Sequence, residues 1–236
     1  MASEGSSFPE PVPGAPRKLC FVTVGATAPF NSLIRAVLER PFLQALSSYG
    51  YTDLLLQYGR GGDNALKEAE AVDVDQDSLY HGEGIRIAGF AFREDGLSYE
   101  MKTTSGRGFG GFEAQGLIIS HAGMLPLASS PTRAMLTSVD IGSGSILEGL
   151  RLGVPMIVVP NPQLLDNHQE DLAEELAGQG YVVHADVQAK DFEDNVRQAE
   201  EMRQRTRSWP PVNSGEAAPA GISEIIDEEL GFRNLD

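Results

Sequence analysis

Short apolar, β-branched runs alternate along this chain with longer amphipathic segments, and few folds accommodate that alternation. Residues 19–24, 53–58, 85–92, 116–120, 155–159 and 181–185 read as strands. Residues 31–47 place Leu33, Ile34, Val37 and Leu38 on one helical face, and residues 97–101, 145–152, 167–177 and 192–205 read as further helices. Strand, helix, strand in succession calls for right-handed crossovers and a mostly parallel sheet. The expected fold is therefore a Rossmann-like α/β domain over residues 18–206. Residues 63–83 read as an acidic loop with a short helix, and the Gly-rich residues 103–111 as a loose loop. No internal repeat is visible.

Length and charge narrow the functions. A chain of 236 residues with 41% hydrophobic content suits one domain with tails. Its net charge of −16 repels nucleic acid and anionic lipid, so neither is expected as a direct partner. Cys20 is the only cysteine, which excludes an internal disulfide and a cysteine-based zinc site; it reads as a small buried hydrophobe in a cytosolic or nuclear protein. Residues 1–17 read as a disordered leader and not a signal peptide. No run reaches the ~18 apolar residues that span a bilayer. Residues 207–236 read as a Pro/Ala/Gly linker followed by a small amphipathic helix over 222–230.

Two dense clusters follow parallel strands, where open α/β sheets hold their ligands. Ser143-Gly144-Ser145-Ile146-Leu147-Glu148 fits a capping box of Ser145 and Glu148. Capping alone explains both side chains, but a small-residue turn also offers free backbone N–H groups to a phosphate, and Glu148 can accept ribose hydroxyls. Asp166-Asn167-His168-Gln169 offers a second cap through Asp166 and Gln169. Asn167 and His168 exceed what a cap needs and suit sugar hydroxyls, which require paired donors and acceptors.

The sequence resembles the cytosolic subunits of the UDP-N-acetylglucosamine transferase of dolichol-linked oligosaccharide synthesis. It is similar, more distantly, to the carboxyl half of the bacterial peptidoglycan N-acetylglucosaminyltransferase. The resemblance runs over about residues 18–183. It is carried by residues 21–27, Gln57-Tyr58-Gly59, Gly89-Phe90, Ile119-Ser120-His121-Ala122-Gly123, the 143–148 cluster with Leu150-Arg151, and the 166–169 cluster. It implies one donor-binding lobe of a two-lobed, GT-B type glycosyltransferase. Such a lobe uses UDP-N-acetylglucosamine as donor substrate, with no metal and no cofactor. Gly123, Ser143, Gly144 and Ser145 would then surround the diphosphate and Glu148 would hold the ribose. Asn167, His168 and Gln169 would touch the sugar, and Gly25, Ala26 and Thr27 would face the cleft between lobes. A membrane-anchored partner subunit would bind the lipid-linked acceptor, keeping this chain at the cytosolic face of the endoplasmic reticulum. The segment 222–230 would help dock that partner, or would be a frayed amphipathic tail.

The family pattern has a single Gly between His-Ala and Ser-Gly-Ser. Taking Gly123 as that Gly, residues 124–142 are surplus, nineteen in all. They are compatible with an in-frame retained intron, since Gly123-Met124 and Ile141-Gly142 can carry donor-like and acceptor-like codons. A genuine loop insertion, which carries little entropic cost, is the alternative. An inserted loop beside the diphosphate would impair transfer and leave a non-catalytic nucleotide-sugar-binding or partner-assembly protein as the rival function.

The remaining signals are weaker. Asp73-Val74-Asp75 resembles a metal-binding Asp-x-Asp but lies in an acidic run that reads as a solvated surface. His121, at a strand end, is the best candidate for a general base, or orients its loop by hydrogen bonding. A dehydrogenase is disfavoured because no G-x-G-x-x-G follows the first strand.

Overall fold

The computed structural model describes residues 16–25, 29–59, 62, 64, 81–82, 84–121, 141–162, 168–187 and 192–206. Among the described residues the strands are β1 (Lys18–Thr23), β2 (Asp53–Gln57), β3 (His81–Gly82), β4 (Ile85–Phe90), β5 (Ala114–His121), β6 (Met156–Val159) and β7 (Val183–His184). The helices are α1 (Asn31–Leu38), α2 (Arg40–Ser48), α3 (Ser98–Thr103), α4 (Ile141–Leu152), α5 (His168–Gly178) and α6 (Asp194–Thr206), with a 3-10 turn at Phe109–Gly111. They form one sheet in the order β3-β4-β2-β1-β5-β6-β7. Every pairing is parallel except that of β3 with β4.

Alternate residues of the central strands feed two apolar layers, as the period of two requires. Cys20, Val22, Leu54, Leu56, Ile119 and Ile157 face α1, α2 and α6, meeting Leu33, Val37, Phe42, Leu46, Val196 and Ala199. Leu19, Phe21, Leu55, Ile118, Met156 and Val158 face the other way, onto Met101 of α3, Ile146 of α4, and Ala173 and Leu176 of α5. Cys20 is fully buried, as its apolar setting implies.

Three expectations need correction. The single helix over 31–47 is two, broken at the extended Glu39. Pro41, in the first turn of α2, has no N–H for the Val37 carbonyl, and its ring would collide with that carbonyl. Residues 103–111 are not loose: Thr103 and Thr104 are fully buried, their hydroxyls donating to the carbonyls of Glu100 and Met101. Phe112 beyond them is also fully buried, with the Arg17 guanidinium 4.2 Å above its ring. The described part of 63–83 adds an unforeseen antiparallel edge, β3.

Ion pairs hold the amino edge of the sheet. Asp53 accepts from Arg17 Nη2 at 2.6 Å and Arg86 Nη2 at 2.9 Å, tying β1, β2 and β4. Arg203 of α6 donates to the Gly116 carbonyl at 2.6 Å, Tyr51 Oη at 3.0 Å and Glu200 Oε2 at 2.8 Å. The carboxyl edge carries no comparable cluster of described ion pairs, and the candidate site lies there.

Candidate functional site

From β1 the chain steps by way of α1 and α2 to β2, on one side of β1. It later returns to place β5 on the other side. The strand order thus reverses between β1 and β5, and their carboxyl ends diverge into the crevice where open α/β sheets bind ligands. Gly25, two residues past β1, and His121, the last residue of β5, meet there. Gly25 adopts φ +79°, and a Cβ built on it would lie 2.8 Å from Nε2 of His121. The imidazole therefore rests on a surface that only glycine provides. Phe30 meets the same ring edge-on at 6.3 Å.

His121 is only 4% exposed, and its buried Nδ1 has no hydrogen-bond partner among the described residues. Burial lowers its pKa from 6.5 to about 4, so the ring is neutral at neutral pH. An imidazole of that basicity has little driving force to take a proton from a sugar hydroxyl. A buried, neutral ring suits the second of the two roles the sequence leaves open, orienting its loop by hydrogen bonding.

The Gly25 peptide is held by a residue that the sequence marks only through the family resemblance. Gln57 ends β2 after three leucines and is 2% exposed. Its Oε1 accepts from the Gly25 N–H at 3.0 Å and Thr23 Oγ1 at 2.7 Å. Its Nε2 donates to the carbonyls of Gly25 and Ala91, both at 3.0 Å. A polar residue closing a run of leucines at a strand end was the available signal. On the far side of His121, buried Asn161 beyond β6 donates to the Pro29 carbonyl at 3.4 Å. The exits of β1 and β6 are thereby joined across the crevice.

The parallel β5–α4–β6 crossover brings the start of α4 to this same edge. Gly149 lets the helix lie close on the sheet, since a Cβ there would run into Met156 Cε. The capping-box expectation fails: α4 begins at Ile141, so Ser143 and Gly144 are helical and Ser145 is a buried interior residue. Four preceding helical residues move the unpaired N–H groups upstream, leaving Ser145 nothing to cap. The last two residues of the supposed surplus segment, Ile141 and Gly142, are likewise helical. Glu148, partly buried, accepts instead from Ser98 Oγ at 3.1 Å, at the start of α3.

Of the sugar cluster, His168 and Gln169 open α5, again at the carboxyl edge. Ala26, Thr27, Gly123, Asp166 and Asn167 lie outside the described residues, as do Asp73, Asp75, the leader and the 207–236 tail. Among the described residues one group has metal-ligand spacing, Glu170, Glu174 and His184, with ligand atoms within 4.8 Å of one another. Both carboxylates are exposed and His184 Nε2 lies 3.3 Å from Glu170 Oε1, an arrangement that ordinary contacts between surface side chains explain. Among the described residues no helix is long and apolar enough to cross a membrane.

The glycosyltransferase family 28 C-terminal domain matches residues 141–224, from the first turn of α4 onward. The UDP-N-acetylglucosamine transferase subunit ALG13 of Eremothecium gossypii is 32% identical over 185 residues, covering 72% of this chain and 76% of its own. The protein of the same name from Cryptococcus neoformans is 30% identical over 221 residues, covering 89% of this chain and 96% of its own. An NMR solution structure of ALG13 aligns with 84% of this chain and 88% of its own at 26% identity, with a TM-score of 0.48. Identity of this order over most of both sequences means that the chain belongs to the ALG13 family of UDP-N-acetylglucosamine transferase subunits.

Proposed function

We propose that this chain is the donor-binding half of a heteromeric glycosyltransferase that moves N-acetylglucosamine from UDP-N-acetylglucosamine to N-acetylglucosaminyl-diphosphodolichol. This is the second sugar step of lipid-linked oligosaccharide assembly for N-glycosylation. The observation that carries the reading is the pairing of Gly25 with a buried, neutral His121 at the strand-order reversal, below the start of α4. In the proposed arrangement the first turn of α4, which includes Ser143 and Gly144, directs its unpaired backbone N–H groups and the helix dipole toward the diphosphate. Glu148, already oriented by Ser98, takes the ribose hydroxyls. Asn167, His168 and Gln169 read the sugar from the start of α5, while Gly25, Ala26 and Thr27 line the cleft.

The relatives are named as transferase subunits, which supports a partner. The acceptor wall is assigned to that partner, a membrane-anchored chain that would hold this one at the cytosolic face of the endoplasmic reticulum. No metal or cofactor is invoked, and no general base is assigned. The test is transfer of labelled N-acetylglucosamine to N-acetylglucosaminyl-diphosphodolichol by this chain co-expressed with its membrane subunit. Product that requires both chains supports the proposal. Donor binding without transfer in the complete complex would instead make this a nucleotide-sugar-binding assembly protein.

A further inference from the structure

We propose that Gln57 is the positioning residue of the donor site, its side-chain amide setting the Gly25 peptide and, through it, the seat of His121. This rests on the nucleotide-sugar reading above. The amide is buried and saturated: Oε1 takes two donors, and Nε2 serves two carbonyls. Only one orientation suits that set, because turning the amide over would put N–H against N–H and oxygen against oxygen. Two of the four bonds grip opposite sides of one residue, Gly25, and a third secures the exit of β4 at Ala91. One side chain thus registers the carboxyl ends of β1, β2 and β4 against each other.

Gly59 makes room for the grip. A Cβ there would lie 2.8 Å from the Gly25 carbonyl oxygen, so only glycine lets that carbonyl lie where Gln57 holds it. Gln57 thus holds, and Gly59 accommodates, the peptide whose α-carbon supports the His121 ring. A core-filling role would be met by leucine, as at the three preceding positions. The polar group is explained by what it holds. Reach and chemistry make substitution informative: methionine keeps the volume and loses all four bonds, while glutamate keeps the acceptor and loses the donors.

The experiment measures binding of UDP-N-acetylglucosamine to the full chain by calorimetry, beside thermal melting, for wild type, Gln57→Met, Gln57→Glu and Tyr51→Phe. Tyr51→Phe removes buried hydrogen bonds at the opposite edge of the sheet and controls for stability loss alone. Gln57→Met should bind roughly tenfold or more weakly, because small displacements at a site are expensive, while Tyr51→Phe keeps the wild-type Kd. Gln57→Glu should match Gln57→Met near about pH 8, where a carboxylate faces two carbonyls. It should recover near about pH 5.5, where a buried carboxyl is protonated and donates again. If Gln57→Met does not fold, the recovery of Gln57→Glu decides. Binding by Gln57→Met within about twofold of wild type, or Gln57→Glu with no recovery, overturns the proposal. If the wild-type chain binds no UDP-N-acetylglucosamine, the donor reading fails, and hydrogen exchange at the Gly25 amide decides the positioning. Faster exchange in the Gln57 variants, with β1 unchanged, upholds it; unchanged exchange overturns it.

Discussion

Nε2 of His121 lies so close over Gly25 that one added methyl group would stand 2.8 Å from it. Gly25→Ala therefore meets two penalties. At φ +79° an L-residue costs roughly 1–2 kcal/mol, and the new Cβ must also displace the ring. The expected outcome is a lower melting temperature together with at least about tenfold weaker donor binding. Adding His121→Ala to Gly25→Ala should recover part of the stability, since the second change removes the collision. A double-mutant cycle in urea measures this; strictly additive losses would mean that the two residues do not compete for space.

Acid should destabilise the protein in two separable steps. His121 has a folded pKa of about 4 against 6.5 unfolded, so the unfolded chain binds the proton first. Its contribution is complete above pH 6.5 and is lost as the pH falls toward 4, in all by about 3 kcal/mol. Glu200 acts lower on the scale. Burial raises its pKa, but hydrogen bonds from Arg203, Tyr51 and Lys18 outweigh this and hold it below the ordinary 4.5. The stability it provides is present above 4.5 and fades as the pH drops through the lower folded value. Urea melts from pH 7 downward should show both slopes in the wild type. His121→Gln should abolish only the upper one, and a His121→Gln profile identical to wild type would refute the buried neutral ring.

The sequence exposed most of the architecture because buried parallel strands are apolar on both faces and stand out as runs. Six of the seven strands are legible in that way. β3 is not, since a two-residue antiparallel pairing leaves no periodic trace. The break at Glu39 was written in Pro41 but masked by apolar spacing that continues in register through both helices. Residue type alone marks the two clusters and His121 as candidates for a site. Long-range contacts leave no such mark. Nothing local to Gln57 indicates that its amide reaches Gly25 thirty-two positions away. Ser145 and Glu148 read as a cap because a capping box is a local pattern, whereas the true start of α4 depends on the preceding chain.

Glu148 supplies the sharpest test of the ribose assignment. Its carboxylate is exposed enough to meet a ligand and is steered by Ser98. Hydrogen bonds to a charged acceptor contribute about 1.5–3 kcal/mol, so Glu148→Gln should weaken UDP binding by roughly 10- to 100-fold. Ser98→Ala should cost only a few-fold, since it frees the carboxylate without removing it. The Glu148→Gln penalty should shrink when 2′-deoxy-UDP replaces UDP. Equal penalties for both nucleotides in calorimetry would detach Glu148 from the ribose.

The segment between β5 and α4 decides whether this form of the chain works. Removing residues 124–142 joins Gly123 to Ser143 with the spacing of the resembled family. Removing only 124–140 leaves Ile141 and Gly142, the first two residues of α4. A displacement of about 1 Å at a reacting centre costs roughly 100-fold. The longer deletion should therefore raise kcat/KM by up to about that factor in the complete complex, and the shorter one by less. If both deletions gain equally, the first turn of α4 tolerates either junction and the obstruction lies within 124–140. If neither gains, the surplus segment does not burden the diphosphate site and belongs to the working protein. Sequencing the mature transcripts across the codons for Ser120 to Glu148 separates these cases at their source, because a retained intron would be absent from the transcripts that support transfer.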